Sequence, residues 1–160
     1  MKGRKLSGFC DDARITAFGL LLETHAALTT SVGRDLEVET GLPLTWFEVL
    51  LRLARSPERH LRMSDLASEI ALSTSGLTRV IDRMEEAGLV TRQACPVDRR
   101  VFHAVLTDTG AEAVEKALPS HAASIQKHLV DPLGPDRLNE LAGCLRILRD
   151  SSDRASVTQP

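Results

Sequence analysis

Met63-Ser64-Asp65-Leu66-Ala67-Ser68-Glu69-Ile70-Ala71-Leu72-Ser73-Thr74-Ser75-Gly76-Leu77-Thr78-Arg79 is the stretch on which the fold turns. Leu66, Ala67 and Ile70 give the apolar face of a short helix over about 64 to 70, with Ser64 placed to cap it. Ala71-Leu72 leaves room only for a tight turn before Ser73, a second capping residue. From 74 to 87, Leu77, Val80, Ile81 and Met84 recur at i, i+3, i+4 and i+7, the stripe of an amphipathic helix. Its opposite face carries Ser75, Thr78, Arg79, Asp82, Arg83 and Glu86, and Gly88 suits the left-handed position just past its end.

Strands at about 89 to 94 and 101 to 107 flank the turn Cys95-Pro96-Val97-Asp98-Arg99-Arg100. Upstream, apolar residues at Ile15, Phe18, Leu21, Leu22, Leu28, Val32 and Leu36 predict a long helix from Asp11 to about Glu39, broken by Gly41 and Pro43. A second helix runs from Leu44 to about Ala54 with Trp46, Val49, Leu50 and Leu53 inward, and Leu61-Arg62-Met63 is extended. Downstream of Thr107, Val114, Leu118, His121, Ile125 and His128 form a heptad-like seam. Pro135 opens a last helix with Leu138, Leu141, Leu145 and Leu148 inward. The expected fold is mainly α with a small β-wing: a winged helix-turn-helix over 41 to 107, between helical dimerisation regions at 1 to 40 and 108 to 150. Residues 151 to 160 are expected to form a disordered tail.

Composition narrows the classes. The 160 residues are 42% hydrophobic, ordinary for a globular chain. No apolar run approaches the roughly 20 residues of a membrane span, and the N-terminus lacks the apolar core of a signal peptide, so a cytoplasmic protein is expected. Three scattered cysteines without C-x-x-C spacing suggest neither a disulfide framework nor a zinc finger. The net charge is −2, yet residues 52 to 103 carry nine arginines, no lysine and seven acids, a local +2. An all-arginine block suits forked contacts to phosphate or guanine.

A B-DNA major groove admits one helix, and base edges are met from that helix's first turns. Ser73, Thr74, Ser75 and Thr78 offer short hydroxyls there, while Arg79 and Arg83 can reach a guanine edge or phosphates. The bland alternative is that the hydroxyls only cap and that Arg79 and Arg83 pair with Asp82 and Glu86. In the hairpin, Arg99 and Arg100 project from a tight tip suited to a narrow minor groove, and Asp98 is close enough to orient the Arg100 guanidinium. No nucleophile–base pair, carboxylate pair or phosphate-binding glycine loop supports an enzyme, and no cofactor is expected. A winged helix serving only as a protein-interaction module is the stronger rival.

The chain resembles the MarR family of winged-helix regulators. The resemblance rests on Gly41-Leu42-Pro43-Leu44 through Leu53, on Leu66-Ala67 through Ser73-x-Ser75-Gly76-Leu77-Thr78-Arg79 to Leu89-Val90-x-Arg92, on Asp98-x-Arg100, and on Leu106-Thr107-x-x-Gly110. It implies an obligate homodimer joined by its first and last two helices, binding double-stranded DNA at a palindromic operator. A repressor is the usual output, released by a small aromatic or other anionic effector or by an oxidant. Three amphipathic helices at the chain ends with nothing else to pack on agree with dimerisation.

The resemblance places an effector pocket between the dimerisation helices and the DNA-binding lobe. By periodicity His25 falls on the inward side of the first helix, Trp46 begins the second, and Arg14 could hold a carboxylate. Trp46 could equally be plain core, His25 a satisfied buried histidine and Arg14 a surface residue. Arg92 could serve structure, DNA or ligand. Cys10 lies where peroxide-sensing members keep a reactive thiol, but those members activate it with tyrosines and this chain has none. Asp11 and Asp12 beside Cys10 would raise its pKa. A metal site is not expected: His121 and His128 are seven residues apart, about 10.5 Å of helix rise.

Overall fold

The computed structural model describes residues 12 to 157 apart from Pro96 and Arg99. Helix α1, Ala13–Thr40, starts on Asp12, whose carboxylate accepts from the Arg14 N–H, and stops at Gly41, whose φ of 71° turns the chain. Only Val32 and Leu36 of its apolar stripe are buried. Ile15, Phe18, Leu21 and Leu22, the N-terminal part of that stripe, stand exposed on the single chain. Helix α2, Leu44–Arg55, buries Phe47, Val49, Leu50 and Leu53, so its fully enclosed aromatic is Phe47. Trp46 is half-buried, laid against the outside of the same core.

A 3-10 turn at Pro57–Arg59 leads into strand β1, His60–Arg62. Helix α3, Met63–Glu69, begins one residue before Ser64, so Ser64 is not its cap. Arg62 holds that position without a side-chain bond, and the Ser64 hydroxyl donates to Asp65 instead. The turn that follows bends at Ala71, φ 53°, and is closed by N–H bonds from Ala71 to Ser68 and from Leu72 to Ala67. Helix α4, Thr74–Glu86, is capped by Ser73 as expected and is followed by Gly88 at φ 72°. Strands β2, Val90–Ala94, and β3, Phe102–Leu106, pair antiparallel, with Val90 opposite Leu106 and Ala94 opposite Phe102. The sheet order is β1-β3-β2, one strand more than the hairpin expected from sequence. Three residues are too few for β1 to display an alternating pattern.

Helix α5, Asp108–Ile125, is capped by Thr107 and runs on into a π-helical segment, Gln126–Val130, and then α6, Asp131–Val157. The break expected near Pro135 is made by Gly134, at φ 74° and ψ 165°. The backbone continues as helix to Val157, past the boundary placed at residue 150. Of α6, Leu138 and Leu141 are half-buried while Leu145 and Leu148 are exposed on the single chain. One core joins the C-terminal part of α1 to α2, α3, α4, the sheet and the first half of α5. Where α1 meets the π segment, the Asp35 carboxylate accepts from the Ser124 hydroxyl at 3.2 Å and Lys127 Nζ at 3.2 Å, and bonds His128 Nε2 at 2.8 Å. His128 first, then Lys127, holds that carboxyl far below its ordinary range. Among the described residues no helix is long and apolar enough to cross a membrane.

Candidate nucleic-acid interface

Leu77, Ile81 and Met84 are fully buried, which fixes the rotation of α4 and turns Ser73, Thr74, Ser75, Thr78, Arg79 and Arg83 to solvent. Ser73 Oγ accepts the Gly76 N–H at 3.1 Å and lies 3.2 Å from Ser75 Oγ. Thr78 Oγ1 donates back to the Thr74 carbonyl at 2.9 Å, which leaves its lone pairs outward. The expected cap and the exposed hydroxyls therefore coexist: one side of Ser73 closes the helix while Ser75 and Thr78 remain reachable.

Arg92 settles a question left open by the sequence. It sits half-buried on β2, and its guanidinium donates to the Thr78 carbonyl at 3.1 Å and pairs with Asp82 and with Glu85, the latter at 3.5 Å. Its own backbone N–H donates to Glu85 at 2.9 Å. Two acids that could have neutralised Arg79 and Arg83 are thus bound to the wing. Among the described residues the side chains of Arg79 and Arg83 have no ion-pair or hydrogen-bond partner, so the bland surface-pairing alternative does not describe them.

At the wing, Asp98 does not orient the Arg100 guanidinium. Its carboxylate accepts the Arg100 backbone N–H at 3.0 Å, and its carbonyl accepts the Val101 N–H at 2.9 Å. An i to i+2 carboxylate–amide bond is the local turn that aspartate favours over reaching a distal side chain. Arg100 is exposed at the tip it closes; Arg99 lies outside the described residues. Arg62, opposite His103 at the end of β1 nearer the tip, is a further exposed cation that the sequence reading left out. Cys95, partly buried at the base of the turn, has its thiol pKa lowered by the backbone N–H groups of Asp98 and Val97 and by Arg62 nearby.

The residues expected at an effector pocket do not come together. Arg14 is bound to Asp12 at the start of α1 with its side chain 90% exposed. His25 is exposed on α1, because the inward stripe of that helix begins only at Leu28. Cys10 lies outside the described residues. A cavity of about 200 Å³ does open between α1, α2 and α5, lined by Leu28, Val32, Leu44, Glu48, His121 and Ile125 among others. His121 stacks on Phe47 with ring centroids 4.4 Å apart, and its buried Nδ1 has no hydrogen-bond partner. Burial lowers its pKa, with Glu48 pulling the other way. His121 and Glu48 were missed as pocket residues because one lies on the α5 seam and the other among core positions. Among the described residues no cluster of three metal-binding side chains occurs.

A family model of the MarR family matches residues 40–101. The chain is 34% identical over 109 residues to the HTH-type transcriptional regulator YkoM of Bacillus subtilis, covering 68% of each chain. It is 35% identical to AbsC, a MarR family transcriptional regulator from Streptomyces coelicolor, at a TM-score of 0.76 with 96% of this chain and 99% of that one covered. It is 31% identical to Sco3205, a MarR family regulator of the same organism solved in complex with DNA, at a TM-score of 0.77 with 85% of each chain covered. With the helix-turn-helix, its free arginines and the three-stranded wing in place, the chain belongs to the MarR family of transcriptional regulators.

Proposed function

We propose that this regulator is a homodimeric repressor that holds a palindromic operator with α4 in the major groove and the wing tip along the minor groove. One observation carries the reading: Arg92 takes up Asp82 and Glu85, which leaves Arg79 and Arg83 unpaired on the same exposed face as Ser75 and Thr78. Arg100, whose backbone N–H is accepted by Asp98, supplies the wing contact, and Arg99 is assigned to the same role from its place in the sequence. Ser73 and Thr74 present the N-terminus of α4, whose N–H groups favour a phosphate.

Dimerisation is supported by the apolar surface that a single chain leaves in water: Ile15, Phe18 and Leu22 on α1, and Leu145, Ile147 and Leu148 on α6. These lie on the terminal regions, 1 to 40 and 108 to 150, that we assign to dimerisation, with 41 to 107 as the DNA-binding lobe. A two-fold dimer meets two half-sites about 10 base pairs apart. Bound there, it would exclude polymerase, hence repression. The cavity at His121 is the candidate effector pocket. Its apolar walls and one unsatisfied imidazole nitrogen suit a small aromatic effector carrying an acidic or hydroxyl group.

The test is binding to the protein's own upstream duplex against a scrambled duplex across a salt series, with sedimentation fixing the stoichiometry. Specific, salt-sensitive binding by a dimer is expected. Arg100→Ala should weaken it about tenfold or more and flatten the salt slope by roughly one. Absence of binding to either duplex at low salt would leave a protein-interaction module as the better reading.

A further inference from the structure

The sheet of the wing has two faces, and one of them packs on the core. Successive residues of a strand point to opposite sides. Ala104 and Leu106 of β3 are buried, and Leu61 of β1, opposite Ala104, lies against the same core. The outward face is therefore made by His60 and Arg62 on β1, His103 and Val105 on β3, and Thr91 and Gln93 on β2. None of these side chains is a carboxylate.

Arg62 is the exposed cation of that face, and its side chain has no hydrogen-bond or ion-pair partner among the described residues. Acids close in sequence or at the tip are engaged elsewhere. Asp65 accepts from the Ser64 hydroxyl at 3.0 Å, and Asp98 accepts the Arg100 N–H at 3.0 Å. Glu58 faces His60 Nδ1 at 3.8 Å, at the end of β1 away from the tip. The guanidinium of Arg62 sits toward the base of the turn, where it helps to lower the pKa of the Cys95 thiol. Its partner across the ladder, His103, is three residues from Arg100, roughly 10 Å at the rise of a strand. That is about one screening length at physiological salt, so a backbone that meets Arg100 at the tip lies within range of Arg62.

We propose that Arg62 holds a backbone phosphate beside the groove entered by the wing tip, so that each protomer grips duplex DNA with the outer face of its wing as well as with α4 and the tip. This rests on the DNA-binding reading above. The surface is continuous with the tip, and a free guanidinium is complementary to a phosphate. Such a contact fixes register and adds affinity for any sequence, without reading bases.

The experiment is fluorescence anisotropy of the full-length protein on its own upstream duplex and on a scrambled duplex across a salt series. Arg62→Ala is expected to weaken both duplexes alike, about threefold to tenfold near physiological salt, and to flatten the salt slope by roughly one for each bound protomer. Arg62→Lys should recover the slope, since a phosphate also accepts a point charge. Arg149→Ala, on the exposed part of α6, should leave affinity and slope unchanged, which separates a local contact from a change of net charge. Hydroxyl-radical footprints locate the contact: Arg62→Ala should lose protection at one symmetry-related pair of backbone positions and keep the rest. Thermal melts verify that each variant is folded. With a parent that binds, the proposal is overturned by an unchanged slope or footprint in Arg62→Ala, by weakening of the upstream duplex alone, by failure of Arg62→Lys to recover the slope, or by an equal effect of Arg149→Ala. A parent that binds neither duplex would overturn the DNA-binding reading itself, and this inference with it.

Discussion

Gly110→Ala is the sharpest perturbation of the junction between the wing and α5. A Cβ at this position would stand 2.1 Å from the Leu89 carbonyl oxygen and 2.8 Å from Leu106 Cδ1, where ordinary contact begins at 3.4 Å. The leucine methyl can rotate away, but the carbonyl cannot retreat freely. It already accepts the Thr107 N–H at 3.2 Å and the Thr107 hydroxyl at 2.9 Å, and the same hydroxyl accepts from the Gly110 N–H at 3.0 Å. Overpacking costs about 1 to 3 kcal/mol and each disturbed bond about 1 kcal/mol. Against this stands a helix-propensity gain of about 1 kcal/mol for replacing glycine. The net is a loss of roughly 2 to 4 kcal/mol, which lowers Tm by about 5 to 15 °C in a chain of this size. Thermal melts and urea midpoints at one fixed protein concentration measure it. Gly143→Ala, on α6 with nothing within 4 Å of the added carbon, is the control and should melt at or above the parent. If Gly110→Ala melted with the parent, the close approach of α5 to the Leu89 carbonyl would be wrong.

Arg92→Ala should lose about 1 to 3 kcal/mol of stability in urea and also weaken operator binding, since it frees Asp82 and Glu85 beside the DNA-reading face; unchanged stability would remove its role as a clamp. Cys95 should be alkylated by iodoacetamide faster than the more exposed Cys144 at pH 7, followed peptide by peptide by mass spectrometry, because its lowered pKa gives more thiolate at a given pH. Lowering of the His121 pKa by burial means that the unfolded chain takes up the proton first. Stability should therefore fall as pH drops below the ordinary histidine value of 6.5, and His121→Phe should flatten that slope in melts at pH 7.5 and 5.5. The depressed Asp35 carboxyl acts in the other window, its contribution being present above the ordinary value of 3.8 and lost in stronger acid.

The helix-turn-helix was legible because its signals are local. Ser73 caps, Gly88 turns and the Leu77-Ile81-Met84 stripe sets the face, each within one helix length. The Leu106-Thr107-x-x-Gly110 pattern could be matched from sequence, but its reason is a carbonyl on the far side of the wing, 21 residues before Gly110. Ser64 misled because a capping residue type is only a preference, and α3 starts where β1 ends rather than where a hydroxyl is available. His25 misled because a period of 3.6 fixes which residues share a stripe but not how much of the stripe meets the core. α1 covers the core only with its C-terminal part, and the rest of its apolar surface requires something that a single chain does not supply. His121 was visible only as a seam position; its stacking on Phe47 and its unsatisfied nitrogen depend on how α5 crosses α2.

A net charge of −2 on a DNA-binding chain is a matter of pairing rather than of totals. Helix α4 carries Arg79 and Arg83 against Asp82, Glu85 and Glu86, so on formal count it is acidic. Arg92 comes from the next strand and takes the first two acids, which leaves Glu86 near the end farthest from the hydroxyl-bearing first turns. Exposed charges act over about 8 to 10 Å at physiological salt. Phosphates at the start of α4 therefore meet Arg79, Arg83 and the helix N–H groups before they meet a free carboxylate. Away from α4, Asp35 is likewise spent on structure, locked between Lys127 and His128. Removing Arg92 changes the total by one charge yet releases two carboxylates into the reading face, so its effect on DNA affinity should exceed that of deleting an exposed arginine remote from α4, such as Arg149.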